Sequence, residues 1–600
     1  VEFVLLVGPV FTRELATVPR RGRLYVARAG YVAGLLVLMV TAWLILAGTR
    51  EIRSVADLAR FGARLFQILA PLQLALAIFF SALMAASAVA QEKDRHTLVL
   101  LLLTNLSNSE LVLGKLLAGM LTVLVLLGAA LPLFMLSALF GGVAFEQIGR
   151  VFVLTLVSGL AAGSLGSTLA LWREKTFQTL ALTVLGLVFW MGISEAFARG
   201  LVHGQFAGAP FALWAQGLSP YQAVLAATRP AFGGEPRLPL FGSPVNFYIT
   251  ASLAIAALLN ALAVGLVRVW NPPREARAQE AAEPESIFGL EGEAAIAARQ
   301  SRSIHAAPGK TRQVWQNPIL WREVRTWAYG RRVLVIRLAY LALFAISTAA
   351  LVGLVHNPAG AGRGAAALAL VPLMLLSLVL VNAQAVTALT SERDVKALDL
   401  LLVTDISAKE FVFGKLGGIF YNTKEMVLLP LLLCGYLWLA RAMSGENALY
   451  LAGGLAVMNV FVATLGVHAG MTYENSRTAI GVSLGTVFFL FVGVATCMRM
   501  LVAFSGAFHM QLTPFLAVMF GGGVGLYVAL GSRNPSPAIQ AASFILPIAT
   551  FYAITSFLLE YTLGPFLVIV ATYAFTTAAM LVPAIFEFDV ATGRTTSADE

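Results

Sequence analysis

Runs of about 20 apolar residues recur along this chain more often than a water-soluble core could bury them. They fall near 26–48, 65–90, 111–140, 151–172, 177–199 and 246–270. After a polar stretch they resume near 333–355, 365–391, 411–440, 449–472, 478–504, 514–531, 541–559 and 562–587. Each is long enough, or nearly so, to cross ~30 Å of hydrocarbon as a helix. Lipid offers the backbone no hydrogen-bond partners, so only helices or closed barrels can span it. The runs are continuous rather than alternating, which excludes a barrel. The expected fold is an all-α polytopic membrane protein with 12 to 14 transmembrane helices. The range turns on 514–559, where either segment could be a re-entrant or interfacial piece. Only 12% of the 600 residues are charged and 59% are hydrophobic, against ~25% charged in a soluble domain. A soluble enzyme, a secreted disulfide scaffold and a disordered chain are thereby excluded. Cys434 and Cys497 both lie inside apolar runs. They supply neither a disulfide framework nor metal-ligand spacing and read as small buried residues.

The long hydrophilic stretch, 271–316, carries Pro272, Pro273, Pro284 and Pro308 among mixed charges and reads as a flexible cytoplasmic linker. It divides the chain into a first membrane half, 1–270, and a second, 317–600. The halves are repeats. Residues 92–116, EKDRHTLVLLLLTNLSNSELVLGKL, align without gaps on 392–416, ERDVKALDLLLVTDISAKEFVFGKL, at an offset of 300. The matches include Glu92/Glu392, Asp94/Asp394, Leu98/Leu398, Thr104/Thr404, Ser107/Ser407, Glu110/Glu410, Gly114/Gly414 and Lys115/Lys415. Leucine matches come easily in this composition, but polar ones do not. The same offset pairs Gly166 with Gly466 and Glu174 with Glu474, while GPVFTREL (8–15) matches NPILWREV (317–324) at 309.

The net charge of +10 bears on orientation in a membrane protein; with no long basic run, nucleic acid is not expected as a partner. Up to residue 332, segments 1–25, 91–110, 173–177 and 271–332 hold most of the Lys and Arg, although 49–64 dissents with Arg50, Arg53, Arg60 and Arg64. The overall bias puts both termini in the cytoplasm. Six spans in the first half then give the two halves one orientation, a parallel rather than inverted repeat.

Mechanism is expected to lie in the repeated loop. After the charged cluster Glu92-Lys93-Asp94-Arg95 comes an apolar stretch, Leu98 to Leu103, too short to cross a bilayer. Ser107-Asn108-Ser109-Glu110 then matches a capping box, predicting a helix from about Asn108, and Ser407-Ala408-Lys409-Glu410 repeats it. Between the spans sits a short cytoplasmic helix with Leu98, Leu101 and Leu102 on one face, and Leu398, Leu401 and Leu402 in the second half. Such a face can rest on lipid headgroups, pack on its own domain, or fill the groove of a cytoplasmic partner; the last is the functional reading. Two such helices imply two partner copies.

The pattern E-[KR]-x…T-L-x-x-L-L-x-T…S…E-[LF]-x-x-G-K-L resembles the cytoplasmic loop of ABC-2 type transporter permeases. The segments at Arg13-Glu14 and Arg322-Glu323 are similar to that family's amphipathic connecting helix ahead of the first span. The resemblance covers both halves and is strongest at 8–116 and 317–416. It implies a permease, not an enzyme, that moves a substrate of unassigned chemistry, with export the expected direction. Two copies of an ABC ATP-binding subunit would dock on coupling helices built from Glu92, Asp94, Leu98, Leu101, Leu102, Thr104, Ser107 and Glu110, and from Glu392, Asp394, Leu398, Leu401, Leu402, Thr404, Ser407 and Glu410. ATP and Mg would bind those partners. This chain is expected to hold no cofactor: Gly309-Lys310-Thr311 ends like a P-loop, but Ile304 stands where a glycine is required.

Polar residues within second-half spans, Asn382, Gln384, Asn459, His468 and the pair Lys424/Glu425, form a candidate translocation path, because ionisable groups at membrane depth usually face a cavity or the bundle interior. The alternative for Lys424 and Glu425 is a solvated extension of the third span, and for His468 a helix–helix hydrogen bond. A rival function is an ion-gradient-driven secondary transporter or a lipid-linked polymer flippase. It calls for mid-span charges in both halves and no docking helix, whereas Lys424 and Glu425 face Leu124 and Val125 in the repeat. Arg- and Ala-rich usage suggests a bacterium of high genomic GC content, so the lipid partner is expected to be the inner membrane.

Overall fold

The computed structural model describes residues 2–20, 22–49, 54–198, 204–206, 208–229, 238, 241–272, 314–325, 333–356, 363–398, 405–503, 508–531, 535–558 and 562–591. Most of the expected linker, and with it Gly309 to Thr311, lies outside them, as do Leu401, Leu402 and Thr404.

The first half runs α1 (Glu2–Thr17), interrupted at Gly8, then α2 (Gly22–Thr49), α3 (Val55–Asp94), the short α4 (Thr97–Leu102), α5 (Asn108–Leu139), α6 (Phe145–Trp172) and α7 (Thr176–Ala198). A two-stranded ribbon, Gln205–Phe206 with Ala209–Pro210, leads to α8 (Phe211–Gln216), α9 (Pro220–Thr228) and α10 (Pro244–Trp270). The second half runs α11 (Pro318–Arg325), α12 (Val333–His356), α13 (Arg363–Asp394), α14 (Ala408–Asn422), α15 (Lys424–Leu439), α16 (Gly445–Thr472) and α17 (Ser476–Phe488). A π turn, Phe489–Gly493, joins α17 to α18 (Val494–Ala503), followed by α19 (Phe508–Gly531), α20 (Pro537–Leu558) and α21 (Leu563–Ala591).

The described residues hold 12 helices long and apolar enough to cross a membrane, so the chain is an all-α, multi-pass membrane protein. Two further apolar segments stand beside these twelve, which are themselves within the range read from the sequence. One is the third span of the second half, broken at Thr423 into α14 and α15; the other is α19. The open question at 514–559 resolves into two long helices, α19 of 24 residues and α20 of 22, or roughly 33–36 Å each. They pack on each other, and α20 packs on α21. Helix α21 packs on α16 as α10 packs on α6, so α21 is the counterpart of α10. The α19–α20 pair is therefore an insertion before the last span, and α19 lies against α2 of the other half.

The parallel repeat is visible where the halves meet. Arg95 and Asp394, at the ends of α3 and α13, are 3.0 Å apart, so both repeated loops leave the bundle at one end, termed here the loop end. The turns match as well: His96 (φ 59°) and Lys396 (φ 58°) both take the left-handed conformation, as the residue just past a helix often does.

Apolar helices gain little from burial against one another in lipid, so close packing of small residues holds them. Helix α6 crosses α3 at Gly166, where a Cβ would come within 2.5 Å of the Ala82 carbonyl oxygen. Helix α16 crosses α13 at Gly466, the same place in the repeat, where a Cβ would come within 2.5 Å of Ala385 Cβ. Gly166→Val and Gly466→Val should each lower stability by about 1–3 kcal/mol, seen as a lower melting temperature of the purified protein. Gly149→Ala, on the same α6 but in open space, should leave it unchanged or slightly raised.

Candidate functional site

The second spans end in two buried aspartates. Asp94 accepts from Thr176 Oγ1 at 2.5 Å, at the start of α7, and from Ser391 Oγ at 3.2 Å, on α13 of the other half. Asp394 accepts from Ser476 Oγ at 2.6 Å, at the start of α17, and from Arg95 Nε at 3.0 Å. Each carboxylate thus ties the fifth span of its own half to the second span of the opposite half. Thr176 and Ser476 occupy one position of the repeat, as the aspartates do; the cross-half donors do not, since Val395 stands at the position of Arg95 and Gln91 at that of Ser391. Arg477 adds a bond from Nη2 to the Ala88 carbonyl at 3.1 Å.

From this junction each chain turns into the loop. In the first half the short helix forms as the sequence predicts, and both capping boxes are made. The Ser107 amide donates to Glu110 Oε2 at 2.8 Å while the Glu110 amide donates to Ser107 Oγ at 3.2 Å. Ser407 and Glu410 repeat this at 3.0 and 3.2 Å. Thr104 Oγ1 donates back to the Leu101 carbonyl at 2.6 Å, closing the end of α4. Arg268, in the last turn of α10, clamps the loop: it donates to Asn108 Oδ1 at 2.8 Å and to the carbonyls of Leu102 (3.2 Å) and Leu106 (3.3 Å).

The leucine face of α4 points the other way from the expected one. Leu98 is 3% exposed and packs with Val89, Leu111, Leu171 and Val267, with Leu101 and Leu102 partly buried beside it. A helix shorter than two turns has little else to hold it down, so its most apolar face is spent on its own half. The outward leucines are Leu100 and Leu103, 64% and 66% exposed. Sequence reasoning missed them because an all-leucine stretch gives no contrast between faces. In the second half Leu398 is half-buried against the core.

The connecting helices lie along the third spans. Helix α1 packs on α5, with Gly8 (φ 73°) so close to Glu110 that a Cβ would come within 2.8 Å of its Cβ. Arg13 is exposed and Glu14 half-buried. In the second half Asn317 replaces Gly8, capping the Leu320 amide at 2.9 Å and donating to the Glu410 carbonyl at 2.8 Å. Glu323 is then driven against Gly418, and Lys415 meets both Glu323 and Glu392 at 2.7 Å. Arg322 pairs with Glu392 and, at 3.2 Å, with Glu323. Lys415 and Glu323 are only 1% and 2% exposed. The first half keeps the simpler pair Lys115–Glu92.

The polar residues of the candidate translocation path bond mainly to neighbouring helices. Asn382 donates to the Val462 carbonyl (2.8 Å) and accepts from Ser483 Oγ (2.9 Å); Asn459 donates to the Leu455 carbonyl (2.9 Å) and accepts from Ser377 (3.3 Å). His468 Nε2 donates to the Leu530 carbonyl at 2.9 Å, beside Tyr473, whose hydroxyl donates to the Ala529 carbonyl at 2.7 Å. The last two cap orphan carbonyls at the end of the inserted α19. These polar groups join helices. Lys424 is exposed, 4.4 Å from the Tyr421 ring centroid, and Glu425 pairs with Arg337 of α12 at 3.5 Å. Gln384 is fully buried, with no amide partner among the described residues.

Residues 58–264, from α3 into α10, match the family described as ABC-2 family transporter protein. No curated protein matches the chain.

Removing the ammonium at the centre of the second-half cluster would leave two largely buried carboxylates sharing the one guanidinium of Arg322. Lys415→Met should cost about 3–5 kcal/mol, read as a lower melting temperature or loss of monodisperse protein. Adding Glu323→Gln, which leaves Arg322 and Glu392 as a balanced pair, should recover most of that loss. If the double variant is no more stable than Lys415→Met, charge is not what the cluster balances.

Proposed function

We propose, from the match of residues 58–264 to the ABC-2 family transporter protein model, that this chain is the membrane-spanning permease of an ABC transporter. Both permease units lie in one polypeptide, 1–270 and 317–600, joined by the linker between them. Energy comes from two separate ATP-binding subunits, which hold the ATP and Mg. The loop end is cytoplasmic, in keeping with the basic residues on that side, and the membrane is the bacterial inner membrane. Export of the substrate is the direction of transport.

One observation carries this reading. At one end of the bundle, directly after the junction that ties the halves, a short helix presents Leu100 and Leu103 to the outside, braced from behind by Arg268 and a complete capping box. Burying two leucines is worth roughly 1.5–3 kcal/mol each, enough to anchor a partner, and the repeated sequence supplies the same loop to a second copy. A partner pushing on α4 would act on the Asp94–Asp394 junction one turn away, and so on four spans at once.

Leu100→Asp with Leu103→Asp should reduce recovery of a co-expressed ABC ATP-binding subunit in a pull-down by about tenfold or more, because each carboxylate would be buried unpaired against the partner. Leu101→Asp with Leu102→Asp should instead reduce the yield of folded permease, since those side chains face its own core. The purified chain alone should hydrolyse no ATP. Undiminished recovery with the first pair, in protein that is folded and inserted, would exclude α4 as the docking element.

A further inference from the structure

The repeat exposes a position whose charge one half pairs and the other does not. In the first half a groove of about 610 Å³ runs between α2 and α5, lined by Tyr25, Arg28, Ala29 and Val32 on one side and by Val125, Gly128, Ala129 and Pro132 on the other. That volume lies within the ~300–1,000 Å³ range of ligand sites. Its walls are apolar except at Arg28, whose guanidinium carbon lies 5.6 Å from the Tyr25 ring centroid. No acidic side chain among the described residues pairs with Arg28.

The offsets of the repeat, 309 for the first span and 300 for the third, give each position its counterpart. Arg28 corresponds to Arg337 and Tyr31 to Tyr340; Val125 corresponds to Glu425. In the second half Arg337 and Glu425 meet at 3.5 Å and Tyr340 donates to the Met426 carbonyl at 3.0 Å, so the aligned positions do face each other. There the small residues of the groove are replaced by large ones: Ala29 by Leu338, Val32 by Leu341, Gly128 by Leu428, Ala129 by Leu429 and Pro132 by Leu432. The second half thus neutralises its arginine internally and carries bulkier side chains there. The first half keeps the arginine, lacks the carboxylate and has small residues along the groove.

We propose that this groove binds one acidic phospholipid from the leaflet at the loop end, its phosphate taking the place that the Glu425 carboxylate takes in the second half and an acyl chain lying along Val32, Val125 and Gly128. Arg28 stands four residues after Leu24, where the apolar part of α2 begins. That is ~6 Å into the span, within snorkelling reach of the headgroups. A charge at that depth is costly without a partner, and a guanidinium matches phosphate oxygens in pairs. The exposed apolar wall opens to lipid, which supplies chain and anion in one molecule. The site is independent of what the chain transports.

Native mass spectrometry of the purified full chain, titrated with phosphatidylglycerol or with phosphatidylcholine of the same acyl chains, tests this. The wild type should bind its first phosphatidylglycerol about tenfold more tightly than phosphatidylcholine. Arg28→Gln should abolish the preference. Val125→Glu, which supplies the carboxylate found in the second half, should abolish it too, and with an unchanged or higher melting temperature, so the test stands even if the first variant folds poorly. A preference that survives either substitution, or equal binding of both lipids by the wild type, would overturn the proposal.

Discussion

A carboxylate cannot stay buried without donors, and the two aspartates that end the second spans, Asp94 and Asp394, are where this constraint organises the molecule. Each finds one donor at the start of its own fifth span and one on the opposite half. Four long helices are thereby pinned in register at one end of the bundle. Because the left-handed turns at His96 and Lys396 follow at once, the direction in which each loop departs is set by the same junction. The position of α4, its bracing by Arg268 and the outward aim of Leu100 and Leu103 are downstream of that arrangement. The short helix and the half–half seam share one anchor.

Much of this was legible in the residues. Helical spans follow from apolar runs that have no water to bond to, and α5 and α14 begin one residue after the capping serines. The parallel repeat follows from polar identities that chance would not place in such a composition. Thr176 and Ser476 could have been found by the same offset, two residues beyond Glu174 and Glu474, but hydroxyls of that kind gain meaning only when a buried acid faces them. Other features were hidden for physical reasons. Face assignment on α4 failed because six apolar residues in a row carry no periodicity. The partners of Asn382, Asn459 and His468 were hidden because a polar residue in a span can be satisfied by a neighbouring helix as well as by a cavity, and sequence does not say which. The role of His468 depends on an inserted helix with no counterpart in the first half.

The halves have diverged in one consistent direction. In the second, the connecting helix is locked by Lys415, Arg322 and two glutamates, α19 and α20 add a further packed pair, and the arginine of the first span is paired with Glu425. In the first, the described residues show the pair Lys115–Glu92, a connecting helix resting on glycine contact at Gly8, and an arginine with no acidic partner among them. Charge that one half balances within the protein, the other leaves to be balanced from outside.

Such a division depends on the fusion of two units in one chain. A permease built from two identical subunits carries every substitution twice, so a leucine that fills the groove between first and third spans would fill it on both sides of the axis, and a carboxylate at the position of Glu425 would pair both arginines. Here Glu425 can pair one arginine while Val125 leaves the other without a carboxylate at that position. Cross-half contacts show the same freedom: Arg95 reaches Asp394, but its counterpart Val395 makes no matching bond to Asp94, which takes Ser391 instead. The symmetric elements, the capping boxes, the aspartates and the glycine crossings at Gly166 and Gly466, are those any such pair of units needs to assemble. The asymmetric ones lie where a single site suffices.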